Sequence, residues 1–506
     1  MIVTGWRVHL ISAELPSPAA PLPFVAELPG DWDSWLVESD TLPRTPFLIS
    51  PRFEYDVELN AFFRSAGMVG SAWNTQVGYA RDVAAFLTFL WRSRSGKCWR
   101  MASEADHVAY LIWRRRDDGG PRVCDATWDR EVAAVNRFYQ WQVRAGNVPV
   151  NPVPQRDVRP GRARLTASVR SGAEVGATPA TYSHGAGRER IEWLPAASYR
   201  RWRDIGVRGY TADELPDPRF RGRWAARNAT FCDLMVRTGL RLAEQASLSV
   251  FEVPLDRGVS GYQRFWLPPA IAKGGSARWV YVPTSAVADL VSYAEIDRAE
   301  VVEQARADGI YRDLRRPLVV EDPTRPVVSQ RHLGGSVRRV KVAQLDIHDR
   351  QRLLVDGPAG LEPAAFWLSE HGLPIAVSTW KDMFREANLR CRSLAVNVRA
   401  HAHLLRHSFA VVTLEQLQRG HIAALAELNP DQRGHYTRIF GDPLDWVRRR
   451  LGHRSVVTTQ VYLHALAELE METRMALVPN QWEDPRDTPL ASISDDRLPP
   501  GEGGAR

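Results

Sequence analysis

Four segments, far apart in the chain, hold the residues whose types and spacing could do chemistry. In RNATFCDLMVRTGLRLAEQASL, Phe231, Leu234, Met235 and Thr238 share a helical face, and Gly239 is placed to end that helix. A second helix then begins at Leu240-Arg241-Leu242, so Arg241 sits near a helix N-terminus, where free amides and the dipole favour an anion. The commoner fate of such an arginine is pairing with a nearby acid, here Glu244. In HAHLLRHSFA, the spacing sets His403, Arg406 and His407 on one helical face beside Leu404, Leu405 and Phe409, which is costly without a polar partner. Histidines four apart can chelate zinc, but neither an HExxH pattern nor a nearby cysteine completes a site. A phosphate fits better, with Arg406 as a bidentate fork and His403 as a proton donor or acceptor.

In LGHRSVVTTQVYLHA, Gly452 ends a helix that Asp442 and Pro443 begin, Ser455 is placed to cap the next, and His453 falls in the turn. Thr458, Thr459 and Tyr462 then lie within about one helical turn of each other. A lone tyrosine is usually packing, and by type alone Tyr436 has the same claim as Tyr462. In AIAKGGSARWVYVP, strand-like residues flank a Gly274-Gly275 turn, which predicts a hairpin over Phe265–Pro283 with Lys273 at its tip. Tip lysines are ordinarily solvated, but only four of the 66 basic residues are lysines (Lys97, Lys273, Lys341, Lys381), so this one stands out.

The elements that must position these groups are mostly helical. Helical spacing predicts helices over 75–91, near 105–116 and from about Thr127 to Gly146, making a compact helical domain at 66–153. Residues 1–65, rich in proline and tryptophan, read as an N-terminal extension. Residues 154–192 are rich in Pro, Gly, Ser and Ala and carry seven arginines against three acids within 156–190, as a flexible basic linker would. A second domain follows over 193–479, helical apart from the hairpin and strand-like pieces in 317–368. The segment 480–506, acidic and proline-rich, reads as a disordered tail.

Composition narrows the class. The chain has 506 residues, enough for two or three domains, and a net charge of +7, a modest hint of a polyanionic partner. Its 44% hydrophobic content contains no run of the length a membrane span needs, and the start has no secretory pattern. Cys98, Cys124, Cys232 and Cys391 form no CxxC pair, which fits a reducing cytoplasm better than a disulfide framework or a zinc site.

Taken together and in order, TGLRLAEQASL, HLLRHSFA and LGHRSVVTTQVYLH, with a lysine hairpin between the first two, resemble the boxes of the tyrosine recombinase (phage integrase) family. The resemblance covers about 66–153 and 193–475. It implies a mainly α fold with a small antiparallel β-sheet: a helical, SAM-like core-binding domain that closes a clamp around DNA with a DNA breaking-rejoining catalytic domain. It implies that Arg241 and Arg406 clamp the scissile phosphate, that Lys273 protonates the departing 5′ oxygen, and that His403 helps deprotonate the nucleophile Tyr462. His453 would contact a phosphate oxygen. The product would be a 3′-phosphotyrosine link, made without ATP, metal or other cofactor because one phosphate ester replaces another. Expected partners are double-stranded DNA at specific sites, three further copies in a homo-tetramer, and accessory proteins, with no membrane. Two departures stand out. Tyr462 comes 59 positions after His403, and added material falls at 312–362 and 415–441. Two other readings use the same fold: a catalytically silent DNA-binding protein, and a type IB topoisomerase or telomere resolvase.

Overall fold

The structure, a computed structural model, describes residues 5–12, 35–36, 38–39, 41–156, 178–183, 191–256, 261–314, 316–331, 337–426, 442–456, 458–463 and 465. The chain divides into two compact units, Met1–Glu189 with Arg331–Val337, and Arg190–Gln330 with Arg338–Arg506. Both are mainly helical, and no helix among the described residues is long and apolar enough to cross a membrane.

In the first unit the apolar periodicity does what it predicts. It builds helices α2 (Trp73–Ser93), α3 (Glu104–Arg115) and α4 (Asp125–Arg144), preceded by α1 (Val57–Arg64). Phe86, Leu90, Tyr110, Trp128, Phe138 and Tyr139 bury together between them. The stretch expected as an extension feeds this same core. Strands β1 (Arg7–Leu10) and β2 (Pro46–Ile49) pair antiparallel and bring in Leu48, and the Asp56 side chain caps α1, whose Leu59, Phe62 and Phe63 are buried. No break in the core therefore falls at residue 66. Part of the expected linker is also tied down: Trp128 Nε1 donates to the Thr181 carbonyl at 2.8 Å, and the Ser183 amide donates to Asp129 at 2.7 Å. Residues 157–177 and 184–190 lie outside the described residues.

The second unit carries the four singled-out segments. Its main core packs Phe231, Leu234 and Met235 of α5 (Ala225–Thr238) against Leu267, Val282, Leu290, Trp380 and Leu405. The predicted hairpin forms from β3 (Tyr262–Leu267) and β4 (Arg278–Pro283), with Trp266 opposite Trp279 and Leu267 opposite Arg278. Period-two alternation turns Phe265, Leu267, Val280 and Val282 inward. A smaller cluster joins Phe409, Val411 and Leu414 of α9 (Ala402–Ala426) to Val447 and Leu451 of α10 (Pro443–Leu451) and to Tyr462. Between α5 and α9 lie α6 (Leu242–Ala246), α7 (Thr284–Tyr293) and α8 (Val377–Ser393).

The small antiparallel sheet expected beside the helices is present in the β3–β4 hairpin, and a further sheet joins it. The region expected as an insertion at 312–362 builds five strands, β5 (Leu318–Val320), β6 (Val327–Arg331), β7 (Val337–Lys341), β8 (Leu353–Gly357) and β9 (Gly360–Pro363). They lie in the order β7-β6-β5-β8-β9, with β5 and β8 parallel, so this sheet is mixed. A parallel pair needs a long return connection, and the chain from Val320 to Leu353 supplies it. Leu318, Val320, Val328, Val340, Leu353 and Val355 give the sheet its own core. Of the added material expected at 415–441, residues 427–441 lie outside the described residues, as do Tyr436 and the expected tail.

Candidate active site

Two left-handed glycines prepare the centre of the site. Gly239 (φ 66°) ends α5 and Gly452 (φ 65°) ends α10, as their sequence contexts predicted. A side chain at 239 would have its Cβ 2.4 Å from Phe409 Cδ1, so only glycine lets α5 pass this close to α9. Helix C-termini leave carbonyls without intrahelical partners and carry partial negative charge. Arg406, on α9 and 2% exposed, takes both ends at once: Nη1 donates to the Gly239 carbonyl and Nη2 to the Leu451 carbonyl, each at 2.5 Å. Among the described residues it makes no ion pair with a carboxylate. Burial, and then the nearby Arg241, push its pKa down to about 9. A buried guanidinium held by dipoles alone is a centre of unneutralised positive charge.

Glu244 arranges the cations beside it. It is buried in the first turn of α6 and accepts from Arg278 Nη2 at 2.6 Å, Arg241 Nη1 at 2.9 Å, the Arg241 amide at 3.0 Å and the Lys273 amide at 3.2 Å. Burial would raise its carboxyl, yet Arg278 and then Arg241 hold it down at about 2. Both readings of Arg241 thus meet in one residue, since it caps a helix start and also pairs with Glu244, while keeping part of its side chain in solvent. Arg278 is spoken for: it is buried, bound to Glu244, and donates through Nε to the Arg450 carbonyl at 2.8 Å. Lys273 stands exposed at the hairpin tip, held to the site by its amide. The open side of the cluster is therefore the side of Arg241 and Lys273.

Three histidines and the tyrosine close the other side. Tyr462 is 2% exposed and lies in the helical turn over 458–463. Its hydroxyl is 2.9 Å from His407 Nδ1. Burial raises its pKa, against the pull of Arg406 and Arg241. His453, released into the turn by Gly452, stacks along Tyr462 with centroids 6.3 Å apart. Its Nε2 is 3.3 Å from Arg406 Nη2 and its Nδ1 is 3.0 Å from the buried Thr459 hydroxyl. Burial and then Arg406 push His453 down to about 4, while burial and then His403 do the same to His407. The His403 ring is 4.2 Å from that of His407, and burial, then Arg406, lowers its pKa.

The structure thus gathers Arg241, Arg406, His403, His453 and Tyr462 into one electrostatic cluster, with Lys273 within range of His403. It differs from the sequence expectation at one point: His407, one helical turn beyond His403, holds the tyrosine hydroxyl. Among the described residues, no group of three or more His, Cys, Asp or Glu is placed to hold a metal. Such an arrangement can bind a tetrahedral oxyanion against fixed cations and present an oxygen nucleophile to it.

Residues 67–146 match the family model described as phage integrase, N-terminal SAM-like domain. No curated protein sequence matches the chain. Among solved structures the chain is similar to XerA recombinase (15% identity, 84% of this chain and 98% of that one, TM-score 0.30). It is likewise similar to the Tn1549 transposon integrase in complex with circular intermediate DNA (13%, 82% and 98%, TM-score 0.41). A third likeness is to a lambda integrase dimer bound to a COC′ core site (12%, 80% and 93%, TM-score 0.40). These three likenesses are weak.

Proposed function

We propose that this chain is a member of the tyrosine recombinase (phage integrase) family and an active site-specific DNA recombinase whose Tyr462 forms a transient 3′-phosphotyrosine bond. The observation that carries the reading is the buried Arg406 guanidinium, bound by two helix-end carbonyls and by no carboxylate among the described residues, beside a tyrosine hydroxyl. A DNA phosphate supplies the missing negative charge. It enters from the Arg241 and Lys273 side, and the two guanidiniums stabilise the charge that grows on its nonbridging oxygens, a contribution of about 10²–10³-fold per contact. Lys273 protonates the departing 5′ oxygen, worth about 10²–10⁴-fold. His453, fixed between Arg406 and Thr459, orients the clamp. Rejoining runs the same steps backward with a different 5′ hydroxyl, so bond energy is conserved and no ATP is needed.

In this reading the first unit contributes a helical DNA-binding domain over 66–153, and the protein acts as a homo-tetramer on paired sites in the cytoplasm. Accessory proteins and the strands over 318–363 would shape the assembly. The test uses a nicked suicide duplex whose sequence is selected from a random pool by binding to the full chain. The wild type traps a covalent protein–DNA adduct, whereas Tyr462→Phe binds equally and traps none. Binding without any wild-type adduct would return the silent DNA-binding reading. Relaxation of supercoiled plasmids lacking the site would favour a topoisomerase.

A further inference from the structure

We propose that His407 is the base that receives the phenolic proton of Tyr462 during strand cleavage; the proposal rests on the recombinase reading above. The resemblance to the family points to His403, four residues earlier. Geometry separates the two. His407 Nδ1 lies 2.9 Å from the Tyr462 oxygen, within the reach required of a general base, with the two rings 5.6 Å apart and inclined at 56°. His403 has no hydrogen bond to that oxygen, and both ring nitrogens of His453 are engaged elsewhere, by Arg406 and Thr459. Of the three imidazoles in the cluster, His407 alone has a nitrogen on the reacting atom among the described residues.

The surroundings of His407 also suit the task. The groups that face it are Arg406 and His403 of its own helix, His401 just before that helix, and His453 from the turn after α10. None is a carboxylate, so at neutral pH the ring is uncharged and one nitrogen keeps a lone pair. Entry of a phosphate anion between Arg241 and Arg406 then offsets the cationic field and favours an imidazolium at the moment it forms.

The step balances. The Tyr462 oxygen bonds to phosphorus as its proton passes to His407 Nδ1. The bond from phosphorus to the 5′ oxygen breaks with its electron pair, and that oxygen takes a proton from the Lys273 ammonium. In rejoining, His407 returns its proton to the leaving phenolate.

The test measures adduct formation on the suicide duplex between pH 6 and 9. His407→Asn keeps an acceptor facing the hydroxyl and so preserves the packing, but it cannot take a proton. Its expected cleavage rate at pH 7 is about 10²–10⁴-fold lower, with DNA binding within about two-fold, and it rises with hydroxide concentration where the wild type is flat. A duplex with sulfur in place of the 5′ bridging oxygen, whose leaving group needs no proton, should rescue Lys273→Ala and leave His407→Asn slow. Cleavage by His407→Asn at the wild-type rate and pH profile overturns the proposal. So does a hydroxide-dependent rate in His403→Ala with none in His407→Asn, which moves the proton back to His403. Adduct formation by Tyr462→Phe would instead sink the recombinase reading itself.

Discussion

Replacing Glu244 by glutamine should cost about 3–4 kcal/mol of stability at neutral pH while leaving the backbone path unchanged. Two routes lead to that figure. A carboxyl held at about 2 in the folded chain against 4.5 unfolded contributes roughly 3 kcal/mol above the unfolded value. Independently, removing one partner of a buried ion pair costs about 3–5 kcal/mol, because the other charge is left behind. Here the orphan is Arg278, 6% exposed, with Arg406 and Arg241 close by. Glutamine offers one acceptor oxygen where the carboxylate receives five hydrogen bonds, and its amide group confronts guanidinium donors. The assay is denaturant unfolding followed by hydrogen exchange in peptides covering 225–293, so that the second unit is read by itself. The sign with pH is fixed. The carboxylate's stabilisation is complete above about 4.5 and fades as pH falls toward 2, so the gap between wild type and variant should narrow over that window. A gap below about 0.5 kcal/mol at pH 7, or one that stays constant down to pH 3, would refute the reasoning.

Two other outcomes follow from the same cluster. Arg406→Lys, which cannot span the carbonyls of Gly239 and Leu451 with one ammonium, should lower adduct formation by about 10²–10³-fold and also lower the thermal midpoint, measured by circular dichroism. Affinity for the selected duplex should fall steeply between low and physiological salt as arginine–phosphate contacts release counterions, and titration by fluorescence anisotropy at several salt concentrations checks this.

The parts of this account that were legible in the sequence are those set by local rules. Gly239 and Gly452 announced helix ends, the alternation around Gly274-Gly275 announced a hairpin, and the spacing of His403, Arg406 and His407 announced one crowded helical face. What stayed hidden depends on distance through the chain. His403 and His407 share a face, and nothing local tells which of them a tyrosine 55 residues beyond His407 will meet. The helix-end carbonyls that hold Arg406 lie 167 and 45 residues from it. Strand β2 pairs with β1 across more than thirty residues, so periodicity could not reveal that the supposed extension feeds the first core. The α1 signal was nevertheless present, in Asp56 followed by Leu59, Phe62 and Phe63 at helical spacing. The parallel pairing of β5 with β8 is invisible to any short window for the same reason.

The most direct measurement is the identity of the amino acid that carries DNA. Full-length protein is reacted with the suicide duplex, digested, and the nucleotide-bearing peptide sequenced by mass spectrometry. The account predicts a phosphodiester link at Tyr462 and at no other residue. A link at Tyr436 or any other side chain would contradict it.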